Sequence, residues 1–124
     1  MEIKLFDSEL KLMELLWRQE GITAKELAAL AKESIGWNKN TTYTVLKKLV
    51  DKKAVLRLEP NFICKPIITK EQIQYNETRD LVDKLYNGSV KMLFSSFLHN
   101  EKITKTELAQ IRSLIDAYDE GGEQ

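Results

Sequence analysis

The densest chemistry in the sequence lies in residues 36–58, where Lys39, Lys47, Lys48, Lys52, Lys53 and Arg57 face a single acid, Asp51. A charge of +5 in so short a stretch is an electrostatic footprint for a phosphate polyanion. Interleaved with these cations are side chains that can read base edges. Asn40 carries the donor and acceptor pair that matches adenine N6 and N7, and Thr44 offers a methyl for thymine and a hydroxyl for a base or phosphate. Tyr43 can reach a phosphate or pack on a thymine methyl, while Thr41 either contacts the same surface or only finishes a helix start. Lys39 stands where the helix macrodipole favours an acid by roughly 0.3–1 kcal/mol, a conflict that a nearby phosphate removes. The candidate nucleic-acid contacts are therefore Lys39, Asn40, Thr41, Tyr43, Thr44, Lys47 and Lys48. A charge run by itself is an ordinary solvated helix face, so the elements that carry it decide the reading.

Three stretches of 3.6-residue periodicity precede residue 54. The first predicts a helix over residues 8–18, with Leu12, Met13, Leu15 and Leu16 inward and Asp7 or Ser8 as N-cap. After Gly21, Thr23 and Glu26 form a capping box with Ile22 stapled to Leu27, starting a second helix that ends near Lys32. A third helix, capped by Asn38, covers residues 39–52 and buries Thr42, Val45, Leu46, Leu49 and Val50, leaving the reading face outside. Residues 54–58 and 62–68 are rich in β-branched and aromatic residues and flank Glu59-Pro60-Asn61, which predicts a short hairpin. Trp17 and Trp37 read as core residues rather than stacking platforms.

Helical periodicity returns at Lys70, with Ile73, Leu81, Val82 and Leu85 on one stripe until Asn87-Gly88, where Gly88 is the stop. Ser89 opens a helix to about His99 bearing Val90, Leu93, Phe94, Phe97 and Leu98. A second capping box, Thr104 with Glu107, starts a last helix with Leu108, Ile111, Leu114, Ile115 and Tyr118 on its inward side. The expected fold is mainly α with a small β wing: a winged helix-turn-helix over residues 1–69 and a three-helix lobe over residues 70–124. A lobe of about 55 residues buries too little surface to stand comfortably alone, so a second copy is expected to complete it. Its dimerisation residues are Leu81, Leu85, Leu93, Phe94, Phe97, Leu108, Ile111, Leu114 and Ile115.

Nineteen basic residues cancel nineteen acidic ones, a balance that argues at first against a nucleic-acid partner. The sum hides a division: residues 1–69 hold 12 basic and 9 acidic side chains, and residues 70–124 hold 7 and 10. The single Cys64 forms no internal disulfide and reads as a buried residue, and no cysteine spacing suits a metal. No metal or cofactor is expected. No apolar run approaches the roughly 18–20 residues of a membrane span, so a cytoplasmic protein is expected.

Asp7-Ser8-Glu9-Leu10 with Met13 and Trp17, then residues 23–27, then Trp37-Asn38-Lys39-Asn40-Thr41-Thr42-Tyr43-Thr44 through Lys53, and Lys65-Pro66-Ile67-Ile68-Thr69 closely resemble the penicillinase-repressor family of transcriptional repressors. The resemblance runs over residues 5–117. It implies a homodimeric repressor on a palindromic operator, with C-terminal helices intertwined between subunits and Asn40, Tyr43 and Thr44 in the recognition helix. In β-lactam-responsive members, signalling through a membrane receptor leads to cleavage of an Asn-Phe bond. The aligned bond here is Ser96–Phe97, making Ser96 and Phe97 the candidate cleavage site of a regulatory protease, although Phe97 also fits as plain dimer core. Copper-responsive members carry paired cysteines near the C-terminus; residues 118–124 have none, so copper sensing of that kind is not expected. The chain departs from the family in three places. Asn38-Lys39 replaces a frequent Ser-Pro, Ala54 replaces a glycine, and Glu59-Pro60-Asn61 replaces a basic, glycine-rich wing tip.

Two other classes compete. A winged helix can dock an acidic protein without reading DNA, in which case duplex DNA would not bind. An enzyme needs clustered titratable groups, yet His99 is the lone histidine and Leu98-His99-Asn100-Glu101 matches no metal or hydrolase signature; His99 reads as a helix-end residue.

Overall fold

Apolar spacing and capping chemistry set the first half of the chain; over the whole chain the computed structural model describes residues 3–19 and 21–121. Helix α1 (Asp7–Arg18) buries Leu12, Met13, Leu15 and Leu16, as its periodicity predicts. Its cap differs from expectation. Asp7 and Ser8 already lie inside the helix, and Phe6 is the N-cap, its backbone N–H donating to Glu9 Oε1 at 2.7 Å. Glu9 closes the first turn from within because its side chain is buried, at 1% exposure. Strand β1 (Ile22–Thr23) leads directly into α2 (Ala24–Ser34), where the predicted capping box is complete: Glu26 N–H donates to Thr23 Oγ1 at 3.1 Å and Thr23 N–H to Glu26 Oε1 at 2.9 Å. Gly36 turns the chain at φ +88°, a left-handed conformation that costs glycine nothing. Helix α3 (Lys39–Asp51) then starts on Asn38, whose Oδ1 accepts from Thr41 N–H at 2.8 Å. It buries Thr42, Val45, Leu46 and Leu49.

Strands β2 (Val55–Leu58) and β3 (Ile63–Pro66) form the predicted antiparallel hairpin, with Arg57 opposite Cys64. The hairpin is not the whole sheet: β1 pairs with the other edge of β3, giving the order β1-β3-β2. A two-residue strand has no periodicity to read, and the sequence of Ile22 and Thr23 reads instead as a staple and a cap. The side chains of α1, α2, α3 and this sheet share one core that includes Leu16, Leu27, Leu46, Leu49, Ala54 and Val55. Trp17 and Trp37 pack against it, and Trp17 Nε1 donates to Ile68 O at 3.0 Å, fastening the segment that leaves the sheet.

Three helices follow, α4 (Lys70–Leu85), α5 (Val90–Asn100) and α6 (Lys105–Glu120). The chain divides into two compact units, residues 1–80 and 81–124, so the division falls inside α4 and later than the residue 69/70 boundary expected from sequence. Ile73 explains the shift: it belongs to the core of the first unit, where Lys70 also meets Glu14 at 3.3 Å. The apolar stripe expected along α4 is only partly buried: Ile73 in the first unit and Val82 in the second are covered, whereas Leu81 and Leu85 are exposed. In the second unit Gly88 takes φ +79° and donates its N–H to Val82 O at 2.9 Å, and Ser89 Oγ accepts from Met92 N–H at 3.1 Å to cap α5. Thr104 Oγ1 accepts from Glu107 N–H at 3.0 Å to cap α6. Neither α5 nor α6 buries a residue. The inward side expected for α6 is half-buried at Leu108 and Ile111 and exposed at Leu114 and Ile115, and Tyr118 is exposed as well.

Candidate nucleic-acid interface

The outer face of α3 is assembled by the two features that start and bury it. Asn38 fixes the first turn, no acid occupies that turn, and the buried positions on the opposite side leave Asn40, Thr44, Lys47 and Lys48 exposed together. Asn40 and Thr44 stand four residues apart and therefore one above the other on the helix. Lys39 is exposed, its Nζ 5.9 Å from the Tyr43 ring centroid, so the cation and the ring form one edge of the surface. Tyr43 is half-buried and packs against the core, which gives its ring a fixed position. Thr41 is exposed, and its backbone amide serves the cap. Lys47 reaches Asp51 at 3.5 Å in a fully solvated pair that holds it weakly.

Two members of the basic run make contacts away from the α3 reading face. Lys52, counted from sequence among the phosphate-directed cations, turns inward: its Nζ lies 2.6 Å from Glu9 Oε1 and donates to Lys4 O at 2.8 Å. Arg57 pairs with Glu59 and stacks 3.9 Å from the Phe62 ring centroid. The wing therefore pairs its own arginine, in keeping with the acidic Glu59-Pro60-Asn61 tip. Between α3 and the wing lies a cleft of about 360 Å³ lined by Tyr43, Lys47, Val50, Asp51, Arg57 and Phe62.

Two further cations, outside the basic run of residues 36–58, stand beside the start of α3. Lys25 and Lys32 on α2 border a notch of about 290 Å³ with Asn38 and Lys39, floored by Ala28 and Ala29. Their signal in the sequence is a seven-residue spacing, 25, 32 and 39, which continues across the turn into α3. Cys64 is fully buried as expected; burial raises its thiol to about 11, opposed by the nearby Arg57 charge, so it stays protonated at neutral pH. Among the described residues no group of three His, Cys, Asp or Glu side chains is placed to hold a metal ion. No described helix is long and apolar enough to cross a membrane.

Three core helices, a three-stranded sheet closed by a hairpin, and an exposed polar helix face define a winged helix-turn-helix. The fold is similar to the solution structure of the DNA-binding domain of the repressor BlaI, with a TM-score of 0.53 and 24% identity, covering 58% of this chain and 93% of that one. The family model for the penicillinase repressor matches residues 5–117, and the chain belongs to that family of DNA-binding transcriptional repressors. Its relatives include the penicillinase repressor of Bacillus licheniformis, 20% identical over 93% of this chain and 91% of the relative. The methicillin resistance regulatory protein MecI of Staphylococcus aureus (strain N315) is 19% identical over 91% of this chain and 94% of its own length.

Proposed function

We propose that the chain represses transcription in the cytoplasm as a homodimer on a palindromic operator, each α3 entering one of two major grooves about 34 Å apart. The observation that carries this reading is the exposed Asn40–Thr44 face with Lys39, Lys47 and Lys48 around it, on a helix whose opposite side is locked into the core. In this reading Asn40 and Thr44 read base edges, Tyr43 and the lysines position the helix on phosphates, and no step needs catalysis. The homodimer is supported by the apolar faces of α5 and α6, where Phe94, Phe97 and Ile115 border a cleft of about 820 Å³. The Ser96–Phe97 bond lies within α5, so a regulatory protease would need that helix to open locally; Phe97 is assigned here to the dimer face.

The test is to sequence duplex fragments retained by the purified protein and titrate them against salt. With about 6–10 phosphates neutralised by the dimer, log affinity should fall with log salt at a slope near −5 to −9. Asn40→Ala should cost about 1–3 kcal/mol and relax preference at one position of each half-site. Failure to retain any duplex, or a salt-independent complex, would refute the reading.

A further inference from the structure

The buried ion pair in the N-terminal unit lies away from the reading face, yet it touches three segments at once. Glu9 Oε1 accepts from Phe6 N–H at 2.7 Å and from Lys52 Nζ at 2.6 Å. Lys52 Nζ also donates to Lys4 O at 2.8 Å and lies 4.5 Å from the Phe6 ring centroid. Lys52 is the C-cap residue of α3. The network therefore ties the extended backbone of residues 4–6 and the first turn of α1 to the far end of the helix that carries Asn40.

Stability is a poor explanation for this pair. Glu9 is 1% exposed and its Oε2 finds no hydrogen-bond partner among the described residues. A buried charge that is only partly satisfied repays little of its desolvation. Geometry is a better one: Asn40 and Lys52 are about 18 Å apart along α3, so a tilt of about 5° at one end displaces the other by roughly 1.5 Å. A displacement of that size breaks a two-point hydrogen bond to a base edge.

We propose that Glu9 and Lys52 are positioning residues for operator reading, and that Lys52 is not a phosphate ligand. The pair sets the tilt of α3 by clamping its C-terminal end to residues 4–6. This rests on the DNA-reading function proposed above.

Glu9→Gln separates the alternatives by sign. If Lys52 is a positioning residue, the variant should bind the retained operator duplex about tenfold more weakly, while affinity for a random duplex of equal length and the salt slope stay as in the parent protein. Amide exchange should accelerate at Phe6 and around residues 49–53. If Lys52 is a phosphate ligand held back by Glu9, the variant should bind both duplexes more tightly, with the salt slope steeper by about one; that result overturns the proposal. Unchanged affinity and exchange overturn it too. Should Glu9→Gln fail to fold, Glu9→Leu with Lys52→Met leaves no buried charge and takes the same measurements. An unmodified chain without operator preference would instead sink the function on which this rests, and amide exchange would still report whether the clamp exists.

Discussion

Helices α2 and α6 begin with the same device, a threonine whose hydroxyl accepts from the amide of a glutamate three residues on, and they end in opposite surroundings. Behind Thr23, the residues Leu27, Ala28 and Ala31 are buried; behind Thr104, Leu114 and Ile115 are 72% and 58% exposed. Local chemistry fixes where both helices start, but burial depends on what is available to pack against. The N-terminal unit supplies its own partners, including a sheet, whereas α5 and α6 leave apolar side chains in the open. A contiguous apolar face of this kind is a surface to be covered, which supports the proposal that the second unit is half of an assembly.

The largest effect is expected at Ile115. In the separate chain this residue is exposed, so Ile115→Glu has no core to disrupt, but it should split the proposed homodimer. Operator affinity should then fall by about 10²–10⁴-fold as the two reading heads lose their linkage. Sedimentation at micromolar protein should show a monomer. A dimeric variant with full affinity would refute the covered face.

The N-terminal unit should respond to truncation instead. Leu46→Ala, at a side chain with no exposure, should cost about 2–5 kcal/mol in urea unfolding followed by tryptophan fluorescence, since Trp17 and Trp37 report on that core. Leu114→Ala in the Ile115→Glu background should change stability by less than about 0.5 kcal/mol. Similar losses at both positions would erase the contrast between the units.

The smallest effect is expected at the wing. Glu59→Gln releases Arg57 from an exposed pair worth about 0.2–1 kcal/mol, so binding to every duplex should strengthen a few-fold with a slightly steeper salt slope. No change in slope would mean that the wing does not approach the phosphates.

Much of this was legible because it is local. The stripes of α1 and α3, the Thr23 box, the Thr104 and Asn38 caps and the Gly88 stop each reside within a few residues, and the reading face of α3 follows from its buried face; at Thr104 only the hydroxyl half of the expected box forms. What was missed depends on distant partners. Lys52 reads as one more cation until the chain folds and brings Glu9 beside it from 43 residues away. Strand β1 exists because β3 offers an edge, and Phe6 became the cap because Glu9 was already held inside. The opposite fates of Ile73 and Leu85 on one helix likewise depend on the core that only the first of them meets.

The self-neutralised wing has a kinetic consequence. A repressor must leave wrong sites quickly, because a genome offers about 10⁶–10⁹ of them and non-specific grip comes from phosphate contacts. With Arg57 paired to Glu59 and Lys52 turned inward, fewer cations are left to hold the proposed repressor to random sequence, and dwell times there should shorten. Search time, rather than final affinity, is what an acidic wing tip would tune.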